Sequence, residues 1–129
     1  MVPIKRRWIG GEHDFALPIG QLRALQSILN SGPEEILARL RVGSWRVDDL
    51  IQTIRHGLIG GGMDELEATT LVRSMVEIHP LISEFKILSA VILQNALFGP
   101  EDDKVGKPEG VETPPESGSS QNATEAVES

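Results

Sequence analysis

The side chains that most often perform acid–base or metal chemistry are sparse in this sequence. The three histidines, His13, His56 and His79, are far apart, and none has a ligand partner at the spacing of a helix-borne metal site. We interpret them as surface or helix-capping residues. The adjacent carboxylates Asp48 and Asp49 would point about 100° apart on a helix, so they are better explained as negative charge at a helix start. There is no cysteine, which excludes thiolate ligands, cysteine nucleophiles and disulfides.

Two further motifs that can carry chemistry also favour structural explanations. No serine lies in the strand–turn–helix context of a nucleophile elbow. The glycines Gly60, Gly61 and Gly62 lack the Lys and Ser/Thr of a phosphate-binding loop, and they follow a predicted helix, so we interpret them as a helix end and hinge. The sequence therefore predicts a protein that is not an enzyme, with no catalytic residue, no cofactor and no metal.

Two features indicate binding instead. The basic run Lys5-Arg6-Arg7 precedes Trp8, a combination found in nucleic-acid-binding proteins, although basic residues on an edge strand also prevent unwanted strand pairing. A small DNA-binding regulator would also need a basic recognition helix, and no predicted helix has a sizeable basic face. Trp45 lies between two predicted helices, where it either fills the core or anchors a partner.

Composition and periodicity predict the elements that position these residues. A chain of 129 residues with 40% apolar but only 4% aromatic residues suits one domain of packed helices. The most apolar run, residues 87–98, is too short to span a bilayer, and the N-terminus lacks the continuous apolar stretch of a signal peptide. We therefore expect neither a membrane protein nor export by a signal peptide.

The predicted fold is mainly α, with about five short helices in a compact bundle after a small N-terminal β-hairpin (residues 3–18). Gly10-Gly11 supplies the turn of that hairpin. The helices are predicted from Pro18 to about residue 30, from Pro33 to Gly43, over 47–58, from Asp64 to Pro80, and over 81–98. The fifth is apolar around most of its circumference, which predicts that it is central or is covered by a partner.

The charge is unevenly distributed along the chain. Residues 1–99 contain 10 Lys and Arg against 11 Asp and Glu, whereas residues 100–129 contain two Lys against eight acidic residues. The acidic C-terminal segment, residues 101–129, is also rich in Pro, Gly, Ser and Thr, which predicts disorder. We therefore expect one folded domain over residues 1–100 and a disordered acidic tail over 101–129, serving as a solubilising terminus or as a tether for a basic partner.

Several segments together resemble a known family. They are residues 17–23 (Leu-Pro-Ile-Gly-Gln-Leu-Arg), 32–33 (Gly-Pro), 43–49 (Gly-Ser-Trp-Arg-Val-Asp-Asp), 53–62 (Thr-Ile-Arg-His-Gly-Leu-Ile-Gly-Gly-Gly), 67–68 (Glu-Ala), 71–72 (Leu-Val), 80–81 (Pro-Leu) and 97–100 (Leu-Phe-Gly-Pro). In order and spacing the chain resembles a small protein of the tail module in bacterial gene transfer agents and related prophages. The resemblance covers roughly residues 12–100, and the arginine, Gly-Leu-Ile and triple-glycine segment is its most specific part.

The resemblance implies one of two roles in a phage-like tail. One is a tail assembly chaperone, which binds the tape measure protein and keeps it soluble until tube subunits replace it. The other is a structural tail tube protein, but tube subunits are built around a β-sandwich, and this sequence predicts one hairpin and five helices. The chaperone role is therefore favoured, with the tube role as the alternative and a small DNA-binding regulator as the second alternative.

The partners implied are the tape measure protein and other tail proteins, with homo-oligomerisation possible and neither a membrane nor nucleic acid expected. The chain would act in the bacterial cytoplasm during particle assembly, or in the virion tail under the structural alternative. We expect the fourth and fifth helices to form an apolar groove for the tape measure chain, lined by Met75, Phe85, Leu88 and Ile92. Trp45 and Arg55 would fix the packing of the third helix or contact the partner, and residues 60–62 would let the two helical halves adjust.

Overall fold

The computed structural model describes residues 2–82 and 84–99. Its elements, in chain order, are β1 (Ile4–Trp8), β2 (Gly11–Phe15), α1 (Ile19–Leu29), α2 (Pro33–Val42), α3 (Val47–Gly60), α4 (Glu65–Ile78) and α5 (Glu84–Phe98). The predicted mainly helical fold with an N-terminal hairpin is confirmed. The predicted disordered tail, residues 101–129, lies outside the described residues.

The hairpin is a two-stranded antiparallel sheet that packs on the helices. Its register pairs Ile4 with Phe15 and Trp8 with Gly11, which leaves a two-residue turn. The Trp8 ring meets Phe15 and Phe85 edge to face, with centroid separations of 6.4 and 5.8 Å. A lone hairpin is only marginally stable in water, and this aromatic cluster is one of the contacts that attach it to the helices.

The centre of the fold is α3, which packs against α1, α4, α5 and β2. It buries Leu50, Ile54 and Leu58 completely. The apolar circumference of α5 predicts the central position for that helix, but α5 packs on α3, α2 and β1 and leaves Ile87 and Phe98 exposed. Within the described residues, no helix is both long enough and apolar enough to cross a membrane.

The helix ends follow local chemistry. Asn30, in the left-handed region at φ 52°, ends α1, and Gly43 at φ 89° ends α2. The Asp64 carboxylate caps α4 by accepting the backbone N–H groups of residues 66 and 67. The third helix extends two residues past its predicted end at Leu58, and α5 begins at Glu84 rather than at residue 81, because Leu81 and Ile82 form a turn.

Candidate partner-binding groove

An open groove of about 690 Å³ lies between the turn of the hairpin and α4. We call it the hairpin–α4 groove. Its apolar lining comes from Met63, Leu66, Leu71 and Met75, and its polar lining from Gly10, His13, Asp64, Glu67, Thr70 and Ser74. Leu66 is 74% exposed, so a large apolar side chain stands in solvent at the groove. The groove can therefore bury apolar side chains of a partner beside a carboxylate-bearing rim.

The two faces of α4 explain why these residues line a groove. Ala68 and Val72 are the buried residues of the helix and face α3, its main packing partner. Leu71 and Met75, four residues apart, lie along a neighbouring stripe and are only half-buried. The helix is therefore attached along one narrow face, and its next apolar stripe remains available to a partner.

The glycines after α3 set the distance between the helices and the hairpin. A side chain at Gly60 would collide with the carbonyl oxygen of Ala16, and one at Gly61 would collide with that of Asp14. The Ala16 N–H also donates to the carbonyl oxygen of Gly57 at 3.0 Å. The structure thus gives Gly60 and Gly61 a packing role, while the hinge motion of residues 60–62 stays a prediction.

Arg55 joins α3 to α4. Its Nε donates to Thr69 Oγ1 at 2.8 Å, and its Nη2 donates to the Glu65 carboxylate at 3.0 Å. Its Nη1 donates to Gln52 Oε1 at 3.2 Å. Of the two roles predicted for Arg55, these contacts describe helix packing, and partner contact stays a prediction.

His56 is buried, unlike the surface or capping residue that the sequence indicates. Its Nδ1 lies 2.8 Å from Gln21 Oε1, an acceptor, so Nδ1 carries the proton and Nε2 accepts from Arg55 Nη1 at 3.2 Å. Burial, and then the positive charge of Arg55, lower the pKa of His56 against the opposing effect of Glu65. In residues 2–82 and 84–99, no group of three or more His, Cys, Asp or Glu residues could hold a metal ion.

The ion pair between Arg39 and Asp49 is buried and was not predicted from the sequence. Asp49 is 1% exposed, and its two carboxylate oxygens accept from Nη2 and Nε of Arg39 at 2.7 and 2.9 Å. It also accepts the Arg46 backbone N–H at 2.8 Å, and Arg39 Nη1 donates to Ser31 Oγ at 3.0 Å. Both Asp48 and Asp49 lie in the first turn of α3, as the sequence predicts. Asp49 in addition links α2 to α3, and the sequence gives no local signal for an ion-pair partner ten residues away.

The other predicted contact residues lie apart from the groove. Phe85, Leu88 and Ile92 are 0%, 5% and 1% exposed and belong to the core, so partner contact through these side chains stays a prediction. Trp45 is half-buried in the α2–α3 connection and packs against the core. Only Met75 of the predicted set lines the groove that the structure forms, and that groove is completed by the hairpin and not by α5.

The model of a protein family described as phage tail tube protein, GTA-gp10, matches residues 3–99, and the chain belongs to that family. The match spans both strands and all five helices. No curated protein and no solved structure matches the chain. The chain is therefore a phage tail-module protein.

Proposed function

We propose that this member of the GTA-gp10 family is a tail assembly chaperone, which holds a helical segment of the tape measure protein in the hairpin–α4 groove. Binding would keep apolar faces of the tape measure chain out of water until tube subunits replace the chaperone. This role places the chain in the bacterial cytoplasm during particle assembly, and it requires neither catalysis nor a cofactor.

The architecture supports the chaperone role over a structural tube role. A tube ring needs strands that extend from subunit to subunit, and the described residues contain one two-stranded hairpin and five helices. That hairpin packs its Trp8–Phe15 face against the chain's own core. The inner face of the hairpin is therefore buried within one subunit and is not available for contacts between the subunits of a ring.

The hairpin–α4 groove is the observation that carries the proposal. Two of its four apolar residues are methionines, Met63 and Met75, whose unbranched thioether side chains adapt to irregular partner surfaces. The 14 residues of α4 give a helix about 21 Å long, which is enough to contact about four turns of a partner helix. A partner helix would insert apolar residues spaced three and four apart between α4 and the hairpin turn.

Co-expression with the tape measure protein tests the proposal, with purification through a tag on this chain and size-exclusion chromatography. We expect a soluble complex with the native chain, and about a tenfold loss of co-purified partner with Leu66→Glu, because a carboxylate replaces an exposed apolar contact. The matched control is Ile78→Glu, which alters a 69% exposed residue of the same helix outside the groove and should leave capture unchanged.

The outcomes separate the two tail roles. Equal capture by both variants would remove the hairpin–α4 groove from the proposal. If this chain does not bind the tape measure protein, and the purified chain instead stacks into rings or tubes in electron micrographs, the chaperone role is wrong and the structural tube role replaces it.

A further inference from the structure

The outer edge of β1 has no neighbouring strand in the described part of the chain, because the sheet consists of β1 and β2 alone. The Ile9 N–H, just after β1, donates to the Glu84 carboxylate at 2.8 Å, so it points away from β2. Alternate residues of a strand direct their N–H groups to the same side, so those of Arg7 and Lys5 lie on that edge as well. The β1 edge therefore presents backbone N–H groups to solvent. The one at the end of this row, that of Ile9, is already bound by the Glu84 carboxylate.

The same strand carries the densest positive charge among the described residues. Lys5, Arg6 and Arg7 are consecutive and exposed. Lys5 Nζ lies 3.3 Å from the Asp14 carboxylate and Arg7 Nη2 lies 3.8 Å from the Glu12 carboxylate, but ion pairs this exposed to water contribute little to stability. Arg6 faces His13 across the sheet and has no carboxylate opposite it.

A cleft of about 400 Å³ runs beside this edge, between β1 and the start of α5. Its lining combines Arg6 and Arg7 with Ile87, which is 62% exposed. Trp8 also lines the cleft, and its buried Nε1 has no hydrogen-bond acceptor among residues 2–82 and 84–99. The edge thus offers cations, an apolar contact and unpaired donors, which suit an extended acidic segment.

The candidate occupants of this edge are a second copy of the chain and the chain's own acidic C-terminal segment. A second copy pairing through β1 would place the run of residues 5–7 against itself, and facing like charges destabilise strand pairs. The acidic C-terminal segment has the opposite charge, with eight acidic residues against two lysines in residues 101–129, which is −6 of the net −7. Charge complementarity therefore favours this segment.

We propose that the acidic C-terminal segment of this chain (residues 101–129) docks along the β1 edge, pairing its backbone with Lys5 and Arg7 and its carboxylates with the basic run.

The segment can reach this edge. The 15 residues of α5, which packs on β1, span about 22 Å, and ten extended residues cover about 33 Å. A tethered segment of this length acts at an effective concentration of about 1 mM, so a modest intrinsic affinity suffices. Docking would also protect the edge from pairing with other chains.

Amide hydrogen exchange by NMR on the full chain tests the proposal. If the segment is docked about 90% of the time, the Lys5 and Arg7 amides exchange about tenfold more slowly than in a full-length variant whose eight acidic residues after position 100 are Asn or Gln. The amides of Ile4 and Arg6, on the β2 side of the strand, should not differ and serve as internal references. Exchange at Lys5 and Arg7 that is equally fast in both chains overturns the proposal, and protection that instead disappears on dilution assigns the edge to a second copy.

A pair of substitutions separates strand pairing from charge attraction alone. Arg7→Gln and Arg7→Pro remove the same charge, but only proline also removes the outward N–H, and proline is tolerated on an open edge. We expect the Lys5 amide to keep most of its protection in R7Q and to lose it in R7P, with the Ile4 amide protected in both. Loss of protection in R7Q and R7P alike would show that charge, and not backbone pairing, holds the segment, and the proposed docking mode would be wrong.

Discussion

Asp49 is a buried carboxylate whose charge is balanced by two arginines. Burial alone would raise the pKa of this carboxyl, but the hydrogen bonds from Arg39 and from the Arg46 backbone, with the charges of both arginines, lower it below the ordinary 3.8. The two-point contact with Arg39 satisfies both carboxylate oxygens. The stability that Asp49 contributes is therefore complete above about pH 3.8 and is lost as the pH falls through its lowered folded-state pKa.

Replacing Asp49 should be among the most damaging single changes in the chain. Asp49→Ala leaves the Arg39 guanidinium, 12% exposed, with only the 65% exposed Glu35 carboxylate at 3.5 Å as an ion-pair partner, and we expect the free energy of unfolding to fall by about 3 kcal/mol in urea denaturation. Asp48→Ala is the control, because it removes a carboxylate from the same helix turn at an exposed position and should cost less than about 1 kcal/mol. Equal losses in the two variants would contradict the role assigned to the ion pair.

His56 should make stability depend on pH near neutrality. Because its folded-state pKa lies below the ordinary 6.5, its contribution is complete above about pH 6.5 and declines as the pH falls through 6.5 toward the folded-state pKa. We expect the native chain to lose up to about 1.4 kcal/mol between pH 7.5 and 5.5 from this residue. The variant His56→Gln should show a correspondingly flatter profile of unfolding free energy against pH.

At the scale of elements, the junction of α3 with the hairpin depends on backbone contact. Gly60 and Gly61 let the carbonyl groups of Ala16 and Asp14 approach the end of α3 more closely than any side chain allows. The pair therefore determines where the hairpin lies, and through the hairpin it determines one wall of the groove.

Gly60→Ala should consequently destabilise the fold by about 3 kcal/mol or more, since the added carbon meets backbone and cannot be relieved by a rotamer change. Gly20→Ala is the matched control. It lies in α1 with no heavy atom within 4 Å of the added carbon, and it should stabilise by about 0.5–1 kcal/mol. Thermal unfolding of both variants measures the difference, and tolerance of alanine at Gly60 would show that the junction can shift.

The sequence predicted the elements better than their arrangement. Pro33, Gly43 and Asp64 are local signals for helix ends, and the apolar spacing identified all five helices. Periodicity shows that a helix has an apolar face but not which element covers it, so the groove was expected between α4 and α5. Contacts between distant residues, such as Arg39 with Asp49 and Glu84 with the Ile9 N–H, have no local signature either.

Across the whole molecule, charge is divided between a nearly neutral fold and a strongly acidic segment. Residues 1–99 carry 10 basic against 11 acidic side chains, so the net charge of −7 says little about the groove itself. The groove nevertheless has a local excess of negative charge, because Asp64 and Glu67 line it and, among the described residues, no Lys or Arg does. A tape measure segment that binds there should therefore carry basic residues beside its apolar ones.

Removing the rim charges should weaken capture without loosening α4. In the double variant Asp64→Asn and Glu67→Gln, asparagine can still cap the helix, so the fold is retained while both charges are lost. We expect about three- to tenfold weaker binding of the co-purified tape measure segment at low ionic strength, and a smaller difference from the native chain at about 0.5 M salt, where exposed charges are screened. Glu77→Gln, an exposed change on the same helix outside the groove, should leave affinity unchanged. If all three chains bind equally at low salt, the partner is recognised by its apolar face alone, and the expectation of a basic tape measure segment is wrong.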